Sequence, residues 1–158
     1  MNITIIAVGT VKEAYLRGGV QEYMKRLTPY CIPGIVEIAE EKLPMNPSPE
    51  QIKQGMEKEG ERIIKALPKS SRIVCLCVEG KELDSVSFAK SVKKWEEEGG
   101  SRLTFIIGGS YGLSEEVKKL GVPVSFSKLT FPHQLMRMIL LEQIYRSFRI
   151  LNGEPYHK

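Results

Sequence analysis

The sequence predicts an α/β protein in which a parallel sheet is covered on both faces by helices. Apolar, β-branched runs alternate along the chain with longer segments of helical periodicity. These runs are nearly continuous and do not alternate with polar residues, as expected for strands buried on both faces. At 158 residues the chain is most simply one domain, residues 1–158.

The elements follow in order from their side-chain patterns. Five strands are predicted from the apolar runs at 2–8, 35–38, 72–78, 103–107 and 122–126. Helical spacing of apolar residues predicts helices at 12–27, from about 48 to 67, and at 85–98, with a short helix beginning at Ser114. The pair Gly18-Gly19 weakens the first helix and indicates a break in it.

The last helix is predicted at 132–151, opened by Pro132 and stopped by Asn152-Gly153. It carries two apolar stripes, one formed by Leu135, Met138 and Ile139 and the other by Leu141, Ile144, Tyr145, Phe148 and Leu151. A surface helix of a monomer needs only one such stripe. The second stripe therefore predicts a homodimer built on this helix.

Composition excludes several classes of protein. The net charge is +4, and from residue 125 onward five Lys/Arg face two acidic residues, which favours an anionic partner. Three cysteines without framework spacing indicate a reducing compartment, and no Cys-x2-Cys or paired-His pattern predicts a metal site. The sequence has no cleavable signal and no apolar run of membrane-spanning length, so we expect a cytoplasmic protein without a membrane partner.

Ligands of such sheets bind beyond the carboxyl ends of the strands, which directs attention to three loops: those after 76–78, at 108–109 and at 127–131. The glycine loop matches neither G-x-G-x-x-G nor a P-loop. A glycine pair after a strand is often a plain turn, but it also permits close approach of the backbone to a flat ligand.

Several motifs together resemble the RlmH family of small bacterial SPOUT methyltransferases, which methylate N3 of a pseudouridine in helix 69 of 23S rRNA. They are residues 107–113 (IGGSYGL), 124–133 (VSFSKLTFPH), 141–146 (LEQIYR) and 153–158 (GEPYHK). The resemblance covers essentially the whole chain. Leu129 is a small departure, because methionine is common there, and 121–123 lies in a variable region.

The resemblance implies a SPOUT α/β-knot with a carboxyl-terminal trefoil knot, a homodimer, and S-adenosylmethionine as cofactor. It places the cofactor at Leu76, Gly108, Phe126, Ser127, Lys128, Leu129, Thr130 and Phe131. These positions also have a purely structural interpretation. Leu76 would be a core residue of a strand, and 126–131 would be the loop that leads into the last helix. A chain of this size has little surface for reading RNA sequence, so we expect the assembled ribosome to be the substrate.

Methylation at N3 requires a proton to leave the imide, so a base within reach would help. His157 is the sequence candidate, since imidazole titrates near neutral pH, and Tyr156 is a candidate to stack on or orient the target base. Arg137, Arg146 and Arg149 are candidates to hold rRNA phosphates, or to pair with acids such as Glu142. The alternative for the tail is a frayed chain end.

Two other functions remain open from the sequence. One is a non-catalytic RNA- or ribosome-binding protein that uses the basic carboxyl-terminal surface. The other is a small-molecule enzyme on a doubly wound sheet, which the glycine loop allows. Binding of S-adenosylmethionine separates the methyltransferase from both.

Overall fold

The computed structural model describes residues 1–158 and contains one five-stranded sheet. The strands are β1 (Asn2–Val8), β2 (Ile32–Ile38), β3 (Arg72–Glu82), β4 (Arg102–Ile107) and β5 (Val122–Ser125). The helices are α1 (Ala14–Leu27), α2 (Pro49–Ala66), α3 (Ser85–Glu98), α4 (Glu115–Lys118) and α5 (His133–Leu151). All strand pairs are parallel, in the order β2-β1-β4-β3-β5. The predicted fold class is confirmed, whereas the knot stays a prediction.

Helices cover both faces of the sheet. Successive residues of a strand point to opposite faces, and Ile5 and Ile6 accordingly belong to two different apolar clusters. The larger cluster joins the sheet to α1, α3 and α5, and the smaller one joins it to α2 and α4. No helix of the protein is both long enough and apolar enough to cross a membrane.

Helix α5 packs between α1 and α3, which buries Leu141, Ile144 and Phe148 of its second apolar stripe. Ile144 is fully buried, and Phe148 is 7% exposed and stacks on Tyr30 with 5.3 Å between ring centroids. The expectation that the second stripe has no partner within the chain is therefore wrong. A charge at Ile144 or Phe148 would disrupt the core of the monomer before any dimer contact.

Helix α1 is continuous, so the predicted break at Gly18-Gly19 is also wrong. A Cβ atom added to Gly19 would lie 2.0 Å from the sulfur of Met138. Glycine here lets α1 approach α5 closely, and the absent side chain serves packing rather than a turn.

Strand β3 departs from regular pairing at its carboxyl end. Leu76 and Lys81 both pair with Val124 of β5, so the residues between them bulge out of the ladder. A Cβ on Gly80 would lie 2.5 Å from backbone atoms of Val124. The bulge carries β3 four residues past its predicted end at 78 and forms one wall of the site described next.

Candidate active site

A cavity of about 680 Å³ opens at the carboxyl edge of β3, β4 and β5. This volume lies in the usual range for small-molecule sites. The three loops predicted from the sequence all contribute to its walls, and we call it the loop cavity. Its lining residues are Leu76–Glu79, Ile107–Leu113, Lys118, Ser125–Ser127, Leu129–His133 and Met136.

The structure brings together most of the residues predicted to bind the cofactor. Those that line the loop cavity are Leu76, Gly108, Phe126, Ser127, Leu129, Thr130 and Phe131. Lys128 does not line it. The side chain of Leu129 is also largely turned to solvent, since the residue is 71% exposed.

The glycine loop folds back on itself. The backbone N–H of Gly112 donates to the carbonyl oxygen of Gly109 at 3.0 Å, and Gly112 has a φ of 87°. A Cβ on Gly108 would lie 2.7 Å from the carbonyl carbon of Gly112. The glycine at 108 was expected to admit a flat ligand, but the space beside it is filled by the backbone of the loop itself.

All residues of the segment from Ser125 to Phe131 except Lys128 line the loop cavity. The Ser125 hydroxyl donates to the carbonyl of Ser127 at 2.9 Å, and the Ser127 hydroxyl accepts from the N–H of Leu129 at 2.9 Å. No backbone–backbone hydrogen bond outside the helices and strands involves residues 127–131. Amide and carbonyl groups without backbone partners beside apolar side chains fit the edge and faces of an adenine ring.

The β3 bulge adds residues to the cavity wall that were not predicted from the sequence. Cys77, Val78 and Glu79 line the cavity, and Glu79 pairs with Lys118. The hydrogen bond from Lys118 lowers the pKa of the Glu79 carboxyl, so this wall carries a closed ion pair. The sequence signal for the bulge was Gly80, which stands inside an otherwise strand-like run.

The carboxyl-terminal tail is tied to α5 through Glu142. One oxygen of this carboxylate accepts from Arg146 Nε at 3.0 Å, from Arg146 Nη2 at 2.6 Å and from the Tyr156 hydroxyl at 3.0 Å. The Tyr156 ring packs edge-on against Tyr145, with 4.9 Å between centroids, and lies 4.8 Å from the Arg146 guanidinium carbon. The tail is therefore held in place, which disfavours a frayed end.

Tyr156 does not act as a proton acceptor in this setting. Burial, together with its hydrogen bond to Glu142, raises the pKa of its hydroxyl to about 12. The phenol stays protonated at neutral pH and donates to the carboxylate. This hydrogen bond holds Tyr156 against α5, and the predicted role of Tyr156 in stacking on or orienting the target base stays a prediction.

His157 is held by Arg146, whose Nη1 lies 3.1 Å from His157 Nδ1. A guanidinium has donors only, so Nδ1 must accept. The single proton of the neutral ring then lies on Nε2. The basic nitrogen of His157 is occupied by a cation in this arrangement.

The three candidate RNA-binding arginines all have carboxylate partners within the chain. Arg137 is 3% exposed, with Nη1 2.6 Å from Glu37 Oε2 and Nη2 donating to the carbonyl of Gly9 at 3.1 Å. This burial leaves little of Arg137 free for a phosphate, and its role in holding RNA stays a prediction. Arg149 pairs with Glu154 and also donates to the carbonyl of Pro155 at 3.1 Å, so it too fixes the tail. Side chains of Arg146 and Arg149 remain 24% and 22% exposed.

A second cavity of about 510 Å³ adjoins the loop cavity, and we call it the tail cavity. Phe126 and Phe131 line both cavities. The other lining residues of the tail cavity are Leu83–Val86, Phe88, Ile139, Gln143 and His157. His157 thus lies in a cavity next to the predicted cofactor segment and does not line the loop cavity.

Comparison with known proteins agrees with this geometry. A family model described as a predicted SPOUT methyltransferase matches residues 1–157. The chain belongs to the SPOUT methyltransferase family. The ribosomal RNA large subunit methyltransferase H of Carboxydothermus hydrogenoformans is 50% identical over 159 positions, and that of Halothermothrix orenii 48%, each over the full length of both chains. A Methanococcus maripaludis protein, provisionally given the same name, is 54% identical over the full length of both chains.

These findings confirm the resemblance drawn from the motifs, and the protein is a methyltransferase. The three predicted loops converge on one cavity of about 680 Å³ at the carboxyl edge of its sheet.

Proposed function

We propose that this protein transfers a methyl group from S-adenosylmethionine to N3 of a pseudouridine in helix 69 of 23S rRNA, acting in the cytoplasm on the assembled ribosome. The observation that carries the proposal is the convergence of three loops of a SPOUT chain on one cavity. The full-length relatives named as large-subunit rRNA methyltransferases support the class of substrate.

The loop cavity holds the cofactor in this proposal. The backbone groups of 127–131 meet the edge of the adenine, and the apolar side chains of Leu76 and Phe131 lie against its faces. Bound S-adenosylmethionine supplies an activated methyl group on a sulfonium. The task of the protein is then to align that methyl with the incoming nitrogen and to exclude water from it.

The tail supplies the substrate side of the site. Tyr156 and His157 are fixed through Glu142 and Arg146, and His157 lines the cavity next to Phe126 and Phe131. A target base that enters beside the tail therefore approaches the cofactor segment from the opposite side. Arg146 and Arg149 stay candidates for phosphate contacts through their exposed parts.

A homodimer and the trefoil knot remain part of the proposal on the strength of the family resemblance. Half-buried apolar residues on α5, among them Leu135 and Ile139, leave a face that a second copy would cover. Light scattering at micromolar concentration tests the dimer, and a monomeric mass refutes it.

The decisive experiment uses calorimetry and methyl transfer together. Titration with S-adenosylmethionine should show saturable binding, and ribosomes that lack the modification should accept one methyl group at the proposed nucleotide. Isolated 23S rRNA should be a much poorer acceptor. Binding of ribosomes without binding of S-adenosylmethionine would instead identify a non-catalytic ribosome-binding protein.

A further inference from the structure

The glycine loop lines a further cavity besides the loop cavity. It has a volume of about 420 Å³, and we call it the glutamate cavity. Ser110 and Tyr111 line both cavities, so a ligand in the loop cavity can extend past these two residues into the glutamate cavity. Its other lining residues come from the β2–α2 connection and from α2, and are Glu40–Leu43, Ile52, Gly55, Met56 and Glu59.

Glu59 supplies a buried carboxylate to the glutamate cavity. The residue is 8% exposed, and its Oε2 accepts from the N–H of Glu41 at 2.9 Å, whereas Oε1 makes no hydrogen bond. Oε1 lies against the glycine loop, since a Cβ on Gly109 would be 3.4 Å from it. Gly109 also lines the loop cavity. The free oxygen of Glu59 therefore lies close to both cavities, and no side chain at position 109 covers it.

The ionised form of Glu59 lacks a compensating cation within the chain. Burial and the neighbouring carboxylate of Glu40 raise the pKa of the Glu59 carboxyl. Glu59 forms no ion pair, whereas its neighbours Lys58 and Arg62 both pair with Glu41. An ammonium group bound at Oε1 would supply the missing positive charge and a hydrogen-bond donor together.

The loop cavity itself offers no free carboxylate. Glu79 is the only acidic residue that lines it, and Glu79 is paired with Lys118. S-adenosylmethionine carries an α-ammonium and an α-carboxylate on a short apolar stem, which its sulfur atom joins to the adenosine. The glutamate cavity contains a charge for each of these groups, because Lys42, which also lines it, forms no ion pair. Opposite free charges in one cavity match a zwitterionic amino acid.

Resting on the proposed function, we propose that the amino-acid part of S-adenosylmethionine extends into the glutamate cavity, where Glu59 binds its α-ammonium group and Lys42 its α-carboxylate. The adenosine stays in the loop cavity. The cofactor is then held at both ends, on either side of its sulfur atom, and this restricts the direction in which the methyl group points. Glu59 takes no part in proton transfer.

The first test compares two ligands that differ only in the amino-acid part. S-adenosylhomocysteine and 5′-methylthioadenosine share the adenosine and the thioether sulfur, and only the first carries an ammonium and a carboxylate. Calorimetry measures the affinity of each ligand for the wild type, Glu59→Gln and Glu57→Gln. Glu57 is the matched control, because it is exposed on α2 and lines neither cavity.

We expect Glu59→Gln to bind S-adenosylhomocysteine ~10- to 10²-fold more weakly than the wild type, since a hydrogen bond between charged groups is lost. Its affinity for 5′-methylthioadenosine should stay within about twofold, and Glu57→Gln should bind both ligands as the wild type does. An equal loss for both ligands overturns the proposal, because Glu59 would then act only through the shape of the glycine loop. Unchanged affinity for S-adenosylhomocysteine overturns it as well.

The second test changes the ligand and leaves the protein intact. Replacing the α-ammonium of S-adenosylhomocysteine by hydrogen should weaken binding to the wild type by ~10- to 10²-fold. In Glu59→Gln the same replacement should change the affinity by less than about threefold, because its partner is already absent. If the wild type binds the deaminated ligand as tightly as S-adenosylhomocysteine, the proposal is wrong, whether or not the variant folds.

Lys42→Met tests the contact to the carboxylate. It should weaken binding of S-adenosylhomocysteine by about two- to fivefold, as expected for an exposed charge pair, and leave that of 5′-methylthioadenosine unchanged. Lys53→Met is its control, because Lys53 is exposed on α2 and lines neither cavity. Equal effects of the two lysine substitutions overturn the assignment of Lys42.

These outcomes differ from a failure of the proposed function. A wild type that does not bind S-adenosylmethionine refutes that function itself. A wild type that binds S-adenosylmethionine but holds S-adenosylhomocysteine no more tightly than 5′-methylthioadenosine refutes only the placement of the amino-acid part.

Discussion

The loop cavity and the tail cavity share Phe126 and Phe131, yet the rest of their lining differs. The loop cavity is lined by the glycine loop and by residues of a segment, 127–131, that makes no backbone–backbone hydrogen bonds. The tail cavity instead takes its polar character from side chains ordered by hydrogen bonds through Glu142. The shape of the loop cavity therefore depends on the fold of its loops. The polar side chains of the tail cavity depend on the carboxylate of Glu142.

This difference has a consequence for mutation. A cavity formed by backbone should keep its ligand affinity when side chains are removed and should lose it when a glycine is replaced. A cavity formed by hydrogen-bonded side chains should lose its order when their shared acceptor, Glu142, is removed, because each donor is then left with a poorer partner. The two cavities should therefore respond to opposite kinds of substitution.

The largest effect is expected at Gly108. In Gly108→Val the added Cβ would lie 2.7 Å from the carbonyl carbon of Gly112, so the loop must open. We expect a loss of cofactor affinity of ~10²-fold and a fall in stability of about 1–3 kcal/mol, as for other overpacked sites. Calorimetry and thermal unfolding measure both.

Gly18→Ala is the control for Gly108, because a Cβ at Gly18 meets nothing within 4 Å. It should leave cofactor affinity unchanged. Wild-type affinity in Gly108→Val would show that the loop is not part of the cofactor site.

The second effect falls on the tail cavity. Glu142→Gln keeps the shape of the side chain but removes the negative charge that accepts hydrogen bonds from Arg146, Tyr156 and Gln143. Hydrogen bonds to charged groups are worth about 1.5–3 kcal/mol each, so the tail should loosen. We expect methyl transfer to fall by ~10- to 10²-fold while cofactor affinity stays within twofold.

Glu22→Gln is the matched control for Glu142. It breaks the i,i+4 ion pair between Glu22 and Arg26. The side chain of Glu22 is 51% exposed and that of Arg26 is 41% exposed. Exposed pairs of this kind contribute about 0.5 kcal/mol or less. If Glu142→Gln behaves like Glu22→Gln in both stability and methyl transfer, the tail does not depend on its carboxylate.

A smaller effect tests the backbone character of the loop cavity directly. Lys128 lies in the predicted cofactor segment but does not line the cavity, and we expect Lys128→Ala to change cofactor affinity by less than about twofold. Ser127→Ala removes the hydroxyl that accepts from the N–H of Leu129. We expect it to destabilise this turn by about 0.5–1.5 kcal/mol, the contribution of one hydrogen bond. A large loss of affinity in Lys128→Ala would show that side-chain charge, and not backbone, holds the ligand.

The fold was predictable from the sequence because its strands and helices have clear and different periods. Patterns of apolar residues did not reveal how many neighbours a helix has within its own chain. Helix α5 has two, α1 and α3, so its second stripe resembled a dimer face although Ile144 is buried in the monomer. The pair Gly18-Gly19 misled for a related reason, since close packing of helices and a break in a helix both favour glycine.

The candidate site was predictable in part. The three loops followed from the position of strand ends, and the individual cofactor residues followed from the resemblance. The β3 bulge and the hydrogen bonds around Glu142 did not, because both depend on contacts between residues distant in the chain. Ser85 and Gln143 are 58 positions apart, and no local pattern connects them.

The smallest effect concerns the one buried carboxylate that packs against the glycine loop. Glu59 is 8% exposed, and a Cβ on Gly109 would lie 3.4 Å from its Oε1. Burial raises the pKa of this carboxyl, although the N–H of Glu41 donates to it at 2.9 Å. The folded chain thus binds the proton more tightly than the unfolded chain does. Its stabilising contribution is complete below the ordinary pKa of about 4.3 and is lost as pH rises through the folded value.

Glu59→Gln should remove this pH dependence and keep an acceptor for the N–H of Glu41. The variant and the wild type should unfold at similar temperatures near about pH 4, and the variant should become the more stable of the two as pH rises. The difference should not exceed about 1 kcal/mol, the usual contribution of one hydrogen bond. Glu57→Gln removes the same charge from an exposed position of α2 and should show no such trend. If both variants follow the wild type across the range, Glu59 is not the group that ties the stability of the glycine loop to pH.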